Sequence, residues 1–399
     1  MVVTTKLRAV HVHEATFVNN SRDLKEARSL LRAGLADEVV LVGMLGEGLP
    51  AEDSPFPGAR IERLPRRTRR LPANKLLALL KLAEARWRFV SAISRLRPDV
   101  IHCHSLGPLA ACVSGKHRTG AALIYDAHEL ETEQVPVKGM RQIVETFQER
   151  RLIRHCDAVL CVADSIADWY GRAYGIPRPY VVRNVPDLRF QSLPEESNLI
   201  RQELGLPGES LVFLYQGRLA PGRGVERFIR VFQRASPARH IVFMGYGPLT
   251  DVVMAAAREG GSIHFLPAVE PKRVLDYTTG ADVGVIGVED TCLNNRYSLP
   301  NKLFEYLLAG VPILCPDLPE MRRVVLENGC GWADPGSDEG LLALIDQLGR
   351  DEILAKRQQA RAARPLYSWQ KEEKSLLAAY RSVLESVQWA SAQQQETGA

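Results

Sequence analysis

Short apolar runs alternate with helical segments along the whole chain, and this alternation limits the fold more than any other feature. In the first half, Leu7–His13, Glu38–Met44, Ile61–Leu64, Val100–Cys103, Ala122–Tyr125, Ala158–Val162 and Tyr180–Arg183 read as strands. Between them, Ser21–Ala33, Asn74–Arg95 and Met140–Arg154 carry helical spacing. A polar, Pro-bearing stretch from Asn184 to Gly208 interrupts the pattern. It then restarts with Leu211–Gln216, His240–Met244, Ile263–Leu266, Val283–Val288 and Ile313–Cys315. Short strands spaced by helices pair in parallel through crossover connections. The expectation is an α/β protein of two Rossmann-like domains, residues 1–184 and 185–367, whose parallel sheets face across a cleft. A last amphipathic helix over 368–388 is expected to pack back on the first domain, with a frayed polar tail over Ser391–Ala399.

Composition excludes several classes. The 399 residues suit two domains, and a formal net charge of only +4 does not describe a polyanion binder. The seven cysteines are scattered without a CxxC pair or Cys/His ligand spacing, so neither a disulfide framework nor a metal site is expected. A reducing, cytoplasmic setting fits that usage. Met1–Lys6 lacks the apolar core of a signal peptide, and no run approaches the ~20 apolar residues of a membrane span. The expected protein is soluble, or peripheral on the inner face of the plasma membrane.

The densest local signal is Tyr297–Pro312. A Pro–Asn pair opens a helical run in which Leu303, Tyr306 and Leu307 share a face, Gly310 and Pro312 stop it, and a strand follows. A helix N-terminus offers free N–H groups and a positive dipole end to a phosphate, and an acid one turn in can accept from both hydroxyls of a ribose. On its own the pattern also fits an ordinary αβ unit with a surface Glu. Ligands of such sheets bind outside the carboxyl ends of the strands. There Gly217-Arg218-Leu219-Ala220-Pro221-Gly222-Arg223-Gly224 leaves one strand end, with glycines for close approach and two guanidiniums for forked phosphate contacts, or else forms a basic surface turn.

Together these runs resemble the retaining glycosyltransferases of the GT-B fold, family 4 (group 1). Glu305, Gly310 and Pro312 match that family's nucleotide-sugar signature, and Gly217 with Arg218 matches its Gly-Arg element. Arg223 stands where the family usually carries Lys. Gly245-Tyr246-Gly247-Pro248 is a second matching turn, and the backbone near Val269 is where the resemblance places the nucleobase. Asn301 and Lys302 would add contacts to sugar or phosphate. In the first half, Tyr125-Asp126-Ala127-His128-Glu129 ends a strand, and His128 matches the family's His against the donor sugar and β-phosphate. His102 and His104 share one side of their strand and read as satisfied core or rim histidines. Two departures stand out. The family's Gly-rich loop after the first strand is replaced by Asn19, Asn20 and Ser21, with Ser21 as N-cap, and the Glu expected eight residues before Glu305 is Tyr297.

The resemblance implies transfer of a sugar, with retention, from a UDP or GDP type nucleoside-diphosphate sugar to a glycan or lipid-linked acceptor, as in bacterial surface polysaccharide or glycolipid assembly. Arg218 and Arg223 would stabilise the leaving diphosphate, Glu305 fix the ribose, and His128 support the sugar, with no cofactor and no metal. Two alternatives stay open, a GT-B nucleotide-sugar epimerase and a non-catalytic nucleotide-sugar or glycan-binding subunit. Arg60–Arg88 concentrates Arg60, Arg63, Arg66, Arg67, Arg69, Arg70, Lys75, Lys81, Arg86 and Arg88 against Glu62 and Glu84, beside the apolar Leu76–Leu80. That suits an anionic bilayer surface, or equally a solvated loop before a core helix, and nucleic acid less well because few aromatics interleave.

Overall fold

The computed structural model describes residues 7–18, 20–72, 74–135, 137–190 and 197–397. The chain forms two compact units, one of Met1–Arg183 with Glu372–Ala399 and the other of Asn184–Lys371. The first holds β1 (Arg8–Val12), β2 (Glu38–Met44), β3 (Glu52–Phe56), β4 (Ala59–Leu64), β5 (Val100–His104), β6 (Ala122–Ala127), β7 (Ala158–Cys161) and β8 (Tyr180–Val181). Their order in the sheet is β3-β4-β2-β1-β5-β6-β7-β8, parallel except for the β3–β4 pair. The second unit holds β9 (Leu211–Arg218), β10 (Arg239–Tyr246), β11 (Ile263–Pro267), β12 (Val283–Val285), β13 (Ile313–Cys315) and β14 (Gly331–Ala333). Their order is β11-β10-β9-β12-β13-β14, parallel throughout.

Both sheets bury their apolar runs against helices on the two faces, which is why strands such as Val39–Val42 and Leu211–Tyr215 are unbroken by polar residues. In the second unit the core gathers Phe213, Tyr215, Phe228, Phe232 and Phe243. The order of each sheet reverses once, between β1 and β5 and between β9 and β12, and such switch points open crevices at the strands' carboxyl ends.

The structure departs from expectation at the edges. β3 is an antiparallel edge strand whose polar Glu-Asp-Ser-Pro-Phe sequence hides it, and β14 is too short to show a period. The strand begun at Val283 ends at Val285 instead of Val288. The C-terminal helix continues to Thr397, so Ser391–Thr397 is helical instead of frayed, and Gly398 and Ala399 lie outside the described residues. Ser21 is the first residue of its helix, which follows Asn20 without a capping side chain, and Asn19 lies outside the described residues.

Candidate functional site

In the second unit the carboxyl ends of β9, β10 and β12 meet. β9 passes directly into Gly217–Gly224, and two close approaches fix that loop. A Cβ at Gly245 would fall 1.8 Å from Gly217 O, and one at Gly224, whose φ is +74°, would fall 2.7 Å from Gly287 O beyond β12. Only glycine permits both. Arg218 and Arg223 leave this loop exposed, and neither has an ion-pair partner among the described residues. Arg227, a few residues on, contrasts with them: it pairs with Asp334 and Asp338. Two cations are thus left with their donors unspent beside a glycine loop.

The helix Asn301–Ala309 follows Pro300 in extended conformation, with no side chain capping its N-terminus. Lys302 turns back across the loop. Its Nζ sits 3.7 Å from the centre of the Tyr215 ring, and a Cβ at Gly217 would lie 3.7 Å from its Cε. Burial, with Arg223 close by, pushes the Lys302 ammonium down to about 7, against the pull of Glu305. Glu305 is half-buried one turn in, where Oε2 accepts from Gln216 Nε2. Gln216 in turn accepts from Thr278 Oγ1 at 2.9 Å. Tyr306 pins the helix to β9, donating to Leu214 O at 2.7 Å and accepting from Gln216 N at 3.1 Å. The structure therefore brings Gly217, Arg223, Lys302 and Glu305 around one strand end, with Arg218 leaving it. Asn301 is engaged by Asn184 Nδ2 at 3.0 Å, and Val269 lies half-buried in the loop after β11, two strands from β9. Gln216 and Thr278 escaped the sequence reading; a polar residue closing an apolar strand just before Gly217 was the available signal.

The first unit builds a different site at its own switch point. His128 follows β6 partly exposed, with Nε2 3.0 Å from Asp126 Oδ2 and 3.0 Å from His104 Nδ1. Asp126 is buried and receives Arg22 Nε and Nη2 at 2.8 and 2.7 Å. Burial pushes the Asp126 carboxyl up, but Arg22 and the imidazoles outweigh it and hold it well below the usual range. His102 and His104 are fully buried. His104 is satisfied as expected, whereas His102 Nε2 has no hydrogen-bond partner, a correction to the reading of both as satisfied. His11, Glu26 and Tyr380 join this cluster without any sequence signal, since they lie far apart in the chain.

The basic segment is less uniform than its sequence implies. Arg63 is buried, donating to Thr16 O and Pro50 O, and so is not part of a surface patch. Arg60 and Arg88 are ion-paired with Glu62 and Glu84. The helix Lys75–Leu96 exposes Leu79, Leu80, Leu82 and Trp87, and the helix Met140–Leu152 exposes Met140, Ile143, Val144 and Phe147. No described helix is long and apolar enough to cross a membrane.

Comparison with known proteins agrees with this architecture. Residues 26–190 match the family model described as Glycosyltransferase Family 4, and residues 196–364 match that of Glycosyl transferases group 1. TuaC of Bacillus subtilis (strain 168), named as a teichuronic acid biosynthesis glycosyltransferase, is 24% identical over 69% of this chain and 69% of its own. A D-inositol 3-phosphate glycosyltransferase of Xylanimonas cellulosilytica is 25% identical over 71% of each. Among solved structures, sucrose-phosphate synthase from Thermosynechococcus elongatus superimposes with a TM-score of 0.76 at 15% identity, over 96% of this chain and 100% of that one. Anabaena HepE in complex with UDP-glucose gives 0.72 at 13% identity, over 94% and 100%. One family model lies on each half of the sequence, in order, and the chain belongs to the glycosyltransferases of family 4, group 1.

Proposed function

We propose that the protein transfers a sugar, with retention, from a nucleoside-diphosphate sugar to a glycan or lipid-linked glycan in bacterial surface-polysaccharide or glycolipid assembly. The observation that carries this reading is the strand end where Arg218, Arg223 and Lys302, beside Glu305, have no carboxylate ion-pair partner among the described residues. Glu305 receives the ribose diol, and the three cations and the uncapped helix end receive the diphosphate. As the glycosidic bond breaks, negative charge grows on that diphosphate, and fixed guanidiniums stabilise it without reorganising. They supply the countercharge a divalent ion would otherwise bring. His128 acts on the donor sugar, and the leaving phosphate accepts the acceptor's proton on the same face. Within a UDP or GDP donor class, the UDP-glucose held by HepE favours UDP, and the name of TuaC supports a surface-polymer acceptor. The exposed apolar residues of Lys75–Leu96, flanked by Arg66, Arg67 and Arg86, which have no carboxylate partner among the described residues, support a peripheral site on an anionic inner membrane face.

The test is a panel of UDP and GDP sugars with and without a lipid-linked glycan extract, following the product by NMR. Transfer with an axial-to-axial or equatorial-to-equatorial outcome supports the reading, and an inverted product sinks retention. Conversion of donor without any acceptor would identify the epimerase instead, and tight donor binding with no turnover would identify a binding subunit.

A further inference from the structure

The buried histidines of the first unit are linked end to end. His128 Nε2 lies 3.0 Å from His104 Nδ1, and His104 Nε2 lies 2.9 Å from His11 Nδ1. His11 Nε2 lies 3.2 Å from the Tyr380 hydroxyl, which lies 2.8 Å from His102 Nδ1. His102 Nε2 closes the series 3.6 Å from Glu26 Oε2, and neither of those two atoms has a hydrogen-bond partner.

A metal is the first reading to weigh, because His11, Glu26, His102 and His104 offer ligand atoms within 4.8 Å of one another. The rings decide against it. His102 and His104 stack with centroids 4.3 Å apart and planes 9° apart, so their in-plane lone pairs run side by side instead of converging on one ion. Arg22 Nε also stands 3.1 Å from Glu26 Oε1, where it would repel a cation.

A chain of neutral imidazoles has a direction, because each ring donates from one nitrogen and accepts at the other. Burial keeps the inner rings neutral: it lowers His11 and His102 and pushes His104 down to about 3. The direction is set at the outer end. His104 Nδ1 faces Asp23 Oδ1 at 3.4 Å and Asp126 Oδ2 at 3.3 Å. Both carboxyls stay ionised in spite of burial, Asp23 through His104 and His13, Asp126 through Arg22 and His128. A carboxylate only accepts, so His104 Nδ1 carries the proton. His104 Nε2 then accepts from His11 Nδ1–H, His11 Nε2 from the Tyr380 hydroxyl, and the Tyr380 oxygen from His102 Nδ1–H. His102 Nε2 is left bare, and a protonated Glu26 is the donor that faces it. Around Glu26 stand Arg22, Asp23 and Lys25 from its own helix, His102 from β5, Asp126 from β6 and Tyr380 from the C-terminal helix. Burial, aided by the two aspartates and opposed by Arg22 and Lys25, holds the Glu26 carboxyl well above its usual range. With His104 Nδ1 protonated, His128 Nε2 at 3.0 Å accepts that proton's hydrogen bond, and His128 carries its own proton on Nδ1.

We propose that Glu26, His102, Tyr380, His11 and His104 are positioning residues, a directed hydrogen-bond chain that holds His128 with its Nδ1–H turned to donate to an oxygen of the donor sugar. The role rests on the assignment of His128 to that sugar, but the chain itself is readable without turnover. Imidazole 15N spectra of the wild-type protein at pH 7 should show Nδ1–H at His11, His102, His104 and His128. Tyr380→Phe, which removes one link and keeps the ring, should mix the tautomers and lower kcat about 10- to 100-fold with little change in donor KM, the scale of a misplaced group. Glu26→Leu should do the same, and Glu26→Gln, whose amide still donates, should rescue it. His104 protonated at Nε2, a stoichiometric transition metal in the purified protein, or wild-type tautomers and kcat in Tyr380→Phe would overturn the proposal. A folded His128→Ala enzyme with wild-type turnover would overturn it too, but through the donor-sugar assignment, with the spectra unchanged at His102.

Discussion

Gln216 at the end of β9 and Glu305 one turn into the helix Asn301–Ala309 are joined in a fixed sense. The Gln216 oxygen is taken by Thr278 Oγ1, so its amide nitrogen is the end that donates to Glu305 Oε2. Thr278 itself also donates to Val274 O at 2.7 Å, sharing one hydroxyl between two acceptors. The carboxylate proposed to hold the ribose is thereby aimed from a rigid strand and not from a loop, which is how a binding group keeps its geometry before the ligand arrives.

Glu305→Ala should weaken UDP or GDP binding by about 2–3 kcal/mol, because two ribose hydroxyls lose a charged acceptor. Gln216→Ala should cost about 1 kcal/mol, roughly fivefold, by freeing the carboxylate without removing it. Calorimetry on folded variants separates the two. Equal losses would mean that Gln216 touches the nucleotide itself, and no loss at Glu305 would sink the ribose assignment.

Arg218→Ala and Arg223→Ala should lower kcat more than they raise donor KM, since the diphosphate gains charge only as the bond breaks. Steady-state kinetics decides. A KM effect alone would reduce both residues to ground-state binders.

The site of the second unit was more legible in the sequence than that of the first. Gly217, Arg218, Arg223 and Glu305 sit in contiguous runs where a strand end, a Gly turn and a helix start lie within a few residues, so local spacing carries their geometry. The His–Tyr–Glu chain is assembled from β1, β5, β6, the first helix and the last helix. It depends on sheet order and on where residue 380 docks, and no local pattern encodes either. Arg63 shows the opposite error: local charge count placed it on the surface, whereas tertiary packing spends its guanidinium on two carbonyls.

Lys302 makes a pH-dependent prediction. In the free protein its ammonium is pushed down to about 7, while a diphosphate needs it charged. Affinity for a nucleoside-diphosphate sugar, which has no phosphate ionisation near neutrality, should be flat below pH 7 and fall as pH rises above it, with proton uptake on binding. The linkage to stability has the same origin. An unfolded lysine binds protons that the folded one has lost between pH 7 and its ordinary value, so stability rises with pH across that window. Lys302→Met should therefore raise Tm at pH 6.5, by about 2–4 °C for each ~1 kcal/mol gained, while abolishing the pH dependence of donor affinity. An affinity unchanged from pH 6 to 9 in wild type would refute the assignment.

The membrane prediction follows from what the first unit leaves uncovered. Leu79, Leu80, Leu82 and Trp87 stand exposed on one helix, and Arg66, Arg67 and Arg86 nearby have no carboxylate partner among the described residues. Cations near an anionic surface contribute about 1 kcal/mol each, and that term decays as the Debye length shrinks from ~10 Å at 0.1 M salt to ~3 Å at 1 M. Binding to vesicles containing anionic lipid should accordingly fall with salt, and replacing Arg66, Arg67, Arg69 and Arg70 by Ser should abolish it while donor affinity stays intact. Trp87→Ala should weaken binding even at low salt, because it removes inserted area and leaves charge untouched. Wild-type protein that ignores such vesicles at low ionic strength would rule out the membrane site and point to a soluble acceptor.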